Sequence, residues 1–218
     1  DYRLRQSDFR ADAQNAGVAW LGMPIADIAT LDRVLVVGSF LRKDQPLIAQ
    51  RLRQAAKKRA RVMAVNPVDD DWLLPVAHRS IAVPSLMPLA LAEIVVAAAR
   101  GADAPIPAAL SDIEPTPTAA AIAAELAGGG HRAILLGNQA QQHADASQLH
   151  ALAQALCQIT GASLGFLTEA ANSVGAEIAG ARPRAGGRNA AELVSDPRRA
   201  YLLLHAEPAF DCARPAAA

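Results

Sequence analysis

The sequence is poor in aromatic residues and in cysteine. Only 4% of its 218 residues are Phe, Trp or Tyr, although 52% are hydrophobic, so its core must be built from Ala, Leu, Val and Ile side chains. Two cysteines, Cys157 and Cys212, are too few for a tetrathiolate iron–sulfur cluster or a structural zinc site. We expect both to be reduced thiols in a cytoplasmic compartment, where disulfides are rare.

The chain also lacks an excess of charge of either sign and a long apolar segment. Its 21 basic and 21 acidic side chains cancel, which excludes a global field that would attract nucleic acid or an anionic membrane. The longest apolar run, residues 87–99, contains Glu93 and falls short of the roughly 20 residues that span a bilayer. We therefore expect a soluble globular protein that recognises its partners by local shape.

Sequence motifs for phosphate binding and for metal binding are missing as well. Neither G-x-G-x-x-G nor G-x-x-x-x-G-K-[ST] occurs, and no Ser or Cys stands beside a His in a local arrangement typical of nucleophilic catalysis. His143 and His150 straddle the predicted helix start at Ser147, and Asp69-Asp70-Asp71 lacks the ligand spacing of a calcium loop. The sequence therefore predicts no catalytic residue and no metal site.

Short apolar runs that end at turn-forming residues predict four strands. They are residues 34–37 before Gly38, 62–65 before Asn66-Pro67, 81–83 before Pro84, and 134–136 before Gly137. Amphipathic helical patterns separate them; one begins at Pro46, with Asp44 placed to cap it. This alternation predicts an α/β fold, a doubly wound parallel sheet with right-handed crossovers.

The pattern loosens after residue 164. Residues 165–200 are rich in glycine, and the apolar run Tyr201–Leu204 predicts a strand of a neighbouring α/β domain. We thus divide the chain into a doubly wound domain, residues 1–164, and the start of a second domain, residues 165–218. Because the sequence opens on Asp1 and not on Met, we expect it to be a piece of a longer protein.

Six residues follow the predicted strands at the edge where parallel sheets bind ligands. They are the positions at which a cofactor would contact the chain if one binds: Gly38, Ser39, Asn66, Pro67, Gly137 and Asn138. Glycine at a strand end allows a phosphate to approach the backbone, but it also simply makes a turn.

One dense basic tract lies in the predicted helix after the first strand and beyond it. It consists of Arg51, Arg53, Lys57, Lys58, Arg59 and Arg61. At helical spacing most of these side chains face water, and contact with an acidic partner subunit is the alternative. The tract has no interleaved aromatic residues, so it does not predict nucleic-acid binding.

Three segments resemble a known protein family. The sequence from Leu31 to Gln54, which includes Leu-Asp-Arg-Val-Leu-Val-Val-Gly-Ser-Phe-Leu-Arg-Lys-Asp, is similar to the large iron–sulfur subunit of bacterial NADH-quinone oxidoreductase, respiratory complex I. Residues 133–138 and 171–175 show the same likeness. It falls in the part of that subunit that is itself similar to molybdopterin oxidoreductases.

The resemblance is incomplete at the cofactor loops. In molybdopterin oxidoreductases the first strand is commonly followed by Gly-x-Asn-Pro and the second by Asp-Pro-Arg. Here those positions read Gly38-Ser39-Phe40-Leu41 and Asn66-Pro67-Val68. The likeness therefore implies the complex I type of domain, which keeps the fold without the molybdenum cofactor, and iron–sulfur clusters elsewhere in the parent subunit.

The family resemblance implies a structural function. The chain would be a domain of the peripheral arm that supports electron transfer from NADH to quinone, without a cofactor or catalysis of its own. Its partners would be other peripheral-arm subunits, with no nucleic acid and no direct membrane insertion, on the cytoplasmic face of the bacterial inner membrane. The alternatives are a pterin-dinucleotide-binding domain of a molybdopterin oxidoreductase and a nucleotide-binding domain of a thiamine-dependent enzyme.

Overall fold

A five-stranded parallel sheet organises the protein. The computed structural model describes residues 1–12, 17–184 and 186–214. The strands are β1 (Arg33–Val37), β2 (Arg61–Asn66), β3 (His78–Ile81), β4 (Arg132–Leu136) and β5 (Ser163–Phe166). Their spatial order is β3-β2-β1-β4-β5, with every pair parallel. The order reverses between β1 and β4, so the predicted doubly wound α/β fold is confirmed.

Helices connect the strands and continue beyond the sheet. Those described are α1 (Leu41–Asp44), α2 (Pro46–Lys57), α3 (Met87–Gly101), α4 (Pro117–Ala127), α5 (Asn138–Gln141), α6 (Ala146–Thr160), α7 (Ser173–Ile178), α8 (Ala190–Ser195) and α9 (Pro208–Asp211). Three 3-10 turns, Ile25–Thr30, Pro84–Leu86 and Ala108–Leu110, complete the connections.

The sheet is buried on both faces, which explains why its strands are apolar runs. In β1, Val34 and Val36 point to the face covered by α1 and α2. Leu35 and Val37 point to the opposite face, which α3, α4 and α6 cover. Successive side chains on a strand alternate between faces, so a strand between two helical layers needs an apolar residue at nearly every position.

Helix α3 is long and largely apolar. Together with the preceding 3-10 turn it forms an 18-residue stretch, Pro84–Gly101, that is long and apolar enough to cross a membrane by length and composition. Such a stretch is weak evidence for a membrane span, because 56% of it is buried inside the fold. There α3 packs against α4 and α6, as the core helix of a sheet protein does.

Strand β5 was missed by the sequence analysis. Its sequence contains Ser163 and Gly165, which have low strand propensity. The structure explains Gly165: a Cβ there would overlap with the Leu21 carbonyl, because residues 20–22 run along this edge and the Phe166 N–H donates to the Trp20 carbonyl over 2.8 Å. The strand lies across the predicted boundary between residues 164 and 165, and the division into two domains stays a prediction.

Three local predictions were wrong. The strand predicted at residues 81–83 lies earlier in the chain, because β3 is His78–Ile81 and ends where the predicted run begins. Asp44 is the last residue of α1, and its carboxylate accepts from the Phe40 N–H; the residue that precedes α2 is Gln45. Residues 201–204 are not a strand, and Leu202 is 97% exposed. The Tyr201 hydroxyl accepts from the Arg198 N–H and donates to the Leu193 carbonyl, which fixes this segment as a bend beside α8.

Replacing Val36 by Asp tests the central strand. Val36 is fully buried, so the variant places an unpaired charge between two apolar layers, and we expect a loss of about 4 kcal/mol or more of unfolding free energy. Lys57→Ala trims an exposed helix residue and should cost less than about 0.5 kcal/mol. Thermal unfolding monitored by circular dichroism measures both, and equal midpoints would contradict the assignment of β1.

Candidate functional site

The loops that follow β1 and β4 press against each other at the point where the strand order reverses. Gly38 has φ +63°, and a Cβ on it would lie 2.6 Å from the Ala140 nitrogen. A Cβ on Gly137 would overlap with the Gly38 carbonyl and lie 2.8 Å from the Ser39 Cα. Both glycines are therefore required by the close approach of two backbones at the position where doubly wound sheets bind ligands.

Several backbone N–H groups of these loops have acceptors within the chain. The Gly38 N–H donates to the Val65 carbonyl at 2.9 Å, and the Gly137 N–H donates to the Val37 carbonyl at 2.8 Å. The Gln139 N–H donates to the Gly38 carbonyl at 2.9 Å. A phosphate-binding loop needs such donors free and pointing at the ligand, and here they close the sheet edge instead.

Asn66, the last residue of β2, joins the loop after β1 to β2. Its Oδ1 accepts from the Ser39 N–H at 3.0 Å, and its Nδ2 donates to the Ser39 carbonyl at 2.8 Å. Both residues are buried, so these bonds form away from water and hold the β1 loop rigidly over β2. Pro67 is half-buried and turns the chain away after β2.

A cavity of about 380 Å³ lies beside this closed edge, at the carboxyl ends of β4 and β5. Of the six predicted contact residues, only Asn138 is among those that line it, and Asn138 Oδ1 is buried there without a hydrogen-bond partner. The N-terminal segment, residues 1–12, forms the opposite wall. Polar and ionisable lining side chains include Tyr2, Arg3, Asp8, Ser147, Glu177 and Arg182.

Asp8 fastens the N-terminal segment to the start of α6. Its carboxylate accepts from the Ser147 N–H at 2.8 Å and from the Arg10 side chain at 2.9 Å. Burial alone would raise the pKa of Asp8, but these hydrogen bonds outweigh it and hold the pKa well below its usual range. Asp145, the N-cap residue of α6, makes no side-chain cap, so Asp8 supplies the negative charge that this helix end favours.

The arginines that line the cavity pair with carboxylates of the same region. Arg3 binds Asp1 at 2.9 Å and Asp12 at 2.7 Å. Arg182 binds Glu177, which also accepts from the Tyr2 hydroxyl. Burial raises the pKa of Tyr2, and the hydrogen bond to Glu177 raises it further. Likewise, Arg5 pairs with Glu169 and Asp211.

His150, His143 and Cys157 contact neighbouring groups of the fold. The His150 ring meets the Phe166 ring edge-on at 5.1 Å, and burial lowers the pKa of His150. His143 Nε2 lies 2.8 Å from the Pro84 carbonyl oxygen. Cys157 and Cys212 are free thiols, and burial raises the pKa of Cys157 to about 12. Across residues 1–12, 17–184 and 186–214, no three His, Cys, Asp or Glu side chains are grouped to hold a metal.

One short motif escaped the sequence analysis. Residues 161–165, Gly-Ala-Ser-Leu-Gly, match the G-x-S-x-G motif of hydrolases. In that motif the serine sits on a sharp turn between a strand's carboxyl end and a helix. Ser163 instead begins β5 at the amino edge of the sheet and is exposed. The structural context of a nucleophile is therefore not present at Ser163.

Comparison with known protein families shows which family the chain belongs to. The family model for molybdopterin oxidoreductase matches residues 1–214. The chain belongs to the molybdopterin oxidoreductase family. A search of curated proteins gave no significant match.

The residues present do not fit the phosphate groups of the cofactor after which the family of molybdopterin oxidoreductases is named. At the β1–β4 edge the N–H groups of Gly38, Ser39, Gly137 and Gln139 are already hydrogen-bonded within the chain. In the adjoining cavity Arg3, Arg5 and Arg182 are held by carboxylates. The cavity volume of about 380 Å³ is also near the lower limit of the roughly 300–1,000 Å³ that small-molecule sites occupy.

The sequence predicts the residues that meet at the β1–β4 edge, but it does not predict the N-terminal residues that line the cavity. Gly38, Ser39, Asn66 and Gly137 do come together, as their places after parallel strands predict. The residues of the N-terminal segment carry no strand or helix pattern, so nothing in the sequence places Asp8 beside α6. The one local signal is the Asp-x-Arg spacing of Asp8 and Arg10, which favours a tight ion pair.

A Gly137→Ala substitution tests the close approach of the two loops. We expect it to cost about 1–3 kcal/mol of unfolding free energy, because the new methyl group overlaps buried backbone atoms. The matched control is Gly101→Ala at the end of α3, where an added Cβ meets nothing within 4 Å. Chemical denaturation measures both variants. If Gly137→Ala is as stable as Gly101→Ala, the loops are not in contact.

Asp8→Asn tests the attachment of the N-terminal segment. At pH 7 we expect a loss of about 1–3 kcal/mol, because Arg10 and the α6 N-terminus lose a charged acceptor. The folded-state pKa of Asp8 is depressed, so its contribution is complete above the unfolded pKa of about 3.9 and is lost as the pH falls toward the folded pKa. The difference from wild type should therefore shrink below about pH 4.

Urea denaturation between pH 2 and pH 8 measures this effect. Asp27→Asn, a change at an exposed carboxylate, is the control and should leave stability unchanged. A gap between wild type and Asp8→Asn that stays constant across this range would show that the Asp8 carboxylate carries no stabilising charge.

Proposed function

We propose that this chain is a structural domain of the large iron–sulfur subunit of NADH-quinone oxidoreductase, without a cofactor or catalytic residue of its own. The family assignment makes it a domain of an oxidoreductase family. The similarity of residues 31–54 to the complex I subunit narrows this to a protein that carries electrons from NADH to quinone. The parent subunit would hold iron–sulfur clusters outside this chain.

The closed β1–β4 edge is the observation that supports this proposal most. Doubly wound sheets bind their ligands where the strand order reverses. In this chain that position contains the contact between Gly38 and Gly137, and the donors around it are hydrogen-bonded within the protein. Asn66 stands where a cofactor-binding relative would begin its Asp-Pro-Arg turn, and its side chain is hydrogen-bonded to the backbone of Ser39.

In this role the domain would be a rigid scaffold whose surface binds other subunits. A sheet buried on both faces and fastened at its carboxyl edge resists deformation, which suits a scaffold that fixes the distances between redox centres in neighbouring segments. Its partners would be other subunits of the peripheral arm at the cytoplasmic face of the bacterial inner membrane. Neither nucleic acid nor direct membrane insertion forms part of the proposal.

Ligand titration tests the absence of a cofactor site. We expect no saturable binding of NADH or of a guanine-pterin dinucleotide to the folded chain, measured by titration calorimetry, because the phosphate donors and the lining arginines are already paired. Binding of either ligand with Kd below about 10 μM, or roughly 7 kcal/mol, would contradict the structural role.

Purification of the parent protein from its native membranes tests the identity of the complex. We expect an affinity-tagged parent to co-purify with an assembly that oxidises NADH and reduces quinone. An assembly that contains molybdenum and does not oxidise NADH would contradict the proposal and favour the pterin-binding alternative.

A further inference from the structure

The segment that forms α1 and α2 concentrates the positive charge of the chain. Residues 41–60 contain seven of the 21 basic side chains, including all three lysines of the sequence, and one acidic side chain, Asp44. The remainder of this neutral chain is correspondingly acidic. Helix α2 buries Ile48, Leu52 and Ala55, whereas Lys57 and Lys58 are exposed and Arg51 and Arg53 are half-buried.

These basic side chains have few carboxylate partners in the described protein, in contrast to four arginines elsewhere on the sheet domain. Arg33, Arg61, Arg79 and Arg100 each form an ion pair shorter than 3.5 Å. Within residues 41–60, the ion pair formed is that of Arg42 with Asp71, at 3.9 Å. The described residues place no carboxylate within 4.0 Å of the other six basic side chains, which are Lys43, Arg51, Arg53, Lys57, Lys58 and Arg59.

Two further features distinguish this face from an ordinary solvated helix. Leu47, in the first turn of α2, is 78% exposed, and residues at positions 47, 51 and 54 share one side of the helix. Arg53 Nε is buried yet has no acceptor. Leu47 and Arg51 therefore lie side by side on the surface of α2, and an exposed apolar residue beside charged ones fits the apolar centre and polar rim of a protein interface.

We propose that the outer face of α2 binds an acidic segment of another polypeptide. Leu47 would contact an apolar side chain of that segment, while Arg51, Lys57 and Lys58 pair with its carboxylates. Charge complementarity selects the partner, because a face with this excess of cations repels basic surfaces and attracts acidic ones. The proposal does not depend on which oxidoreductase contains the chain.

The composition of the face favours a protein over other polyanions. Single-stranded nucleic acid binds to platforms of aromatic side chains among cations, and α2 contains no aromatic residue. Peripheral binding to a membrane needs a broad apolar face beneath the cations, and Leu47 is the exposed large apolar residue of α2.

Charge reversal in the parent protein tests the interface. The test variant is Arg51→Glu with Lys58→Glu. The matched control is Arg198→Glu with Arg199→Glu, which changes the net charge equally at two exposed arginines far along the chain. The measurements are the apparent affinity for the co-purified polypeptide at low and high salt, and carbodiimide cross-linking of lysines to carboxylates, read by mass spectrometry.

We expect the α2 variant to lose about tenfold or more in affinity at low salt, with a smaller loss at high salt, while the control binds like wild type. Cross-links from Lys57 or Lys58 should reach Asp or Glu residues of a different polypeptide. The proposal fails if the α2 variant, folded with an unchanged unfolding midpoint, associates like wild type, or if these lysines cross-link only within their own chain.

The purified chain is also titrated with a duplex oligonucleotide and with phosphatidylglycerol vesicles. We expect neither to bind through this face. Binding of either probe that Arg51→Glu with Lys58→Glu abolishes and the control retains would assign the face to a nucleic acid or a lipid surface and overturn the proposal.

Discussion

The close contact of the β1 and β4 loops is the constraint on which the rest of the structure depends. Two backbones meet at Gly38 and Gly137 with no room for a side chain between them. The contact joins the two halves of a doubly wound sheet at the point where they diverge, and it uses the N–H groups that such folds commonly offer to ligands. The position at which other doubly wound proteins bind ligands therefore contains a close contact between two backbones in this chain.

The N-terminal segment extends this closure along the edge. It is held to the start of α6 by the hydrogen bond from the Ser147 N–H to Asp8 and by the ion pair of Arg10 with Asp145, and no residue of it belongs to either buried apolar cluster. The sheet core and this segment are therefore stabilised by different physics, one by burial and the other by ion pairs that depend on pH. Opening of the segment should cost less free energy than unfolding of the sheet.

The sequence was sufficient for the parts of the fold that follow from local periodicity. Apolar runs before Gly38 and Gly137 gave β1 and β4 because a strand buried on both faces must be apolar throughout. Strand β5 was not predicted, because its Gly165 is required by contact with Leu21, which is distant in sequence. The apolar run that begins at Tyr201 was wrongly predicted to be a strand, because an apolar run alone does not provide a neighbouring strand to pair with. The role of Asp8 depends on a contact across 139 residues, which no local pattern records.

Amide hydrogen exchange at the β1–β4 edge, followed by NMR, tests the central claim most directly. If the edge is closed by the chain itself, the amides of Gly38, Ser39, Gly137 and Gln139 are protected to the same degree as those within β1, and pyrophosphate or a guanosine nucleotide shifts none of their resonances. Rapid exchange at these four amides in the folded protein, or a saturable shift on adding either ligand, would show that the edge is an open site.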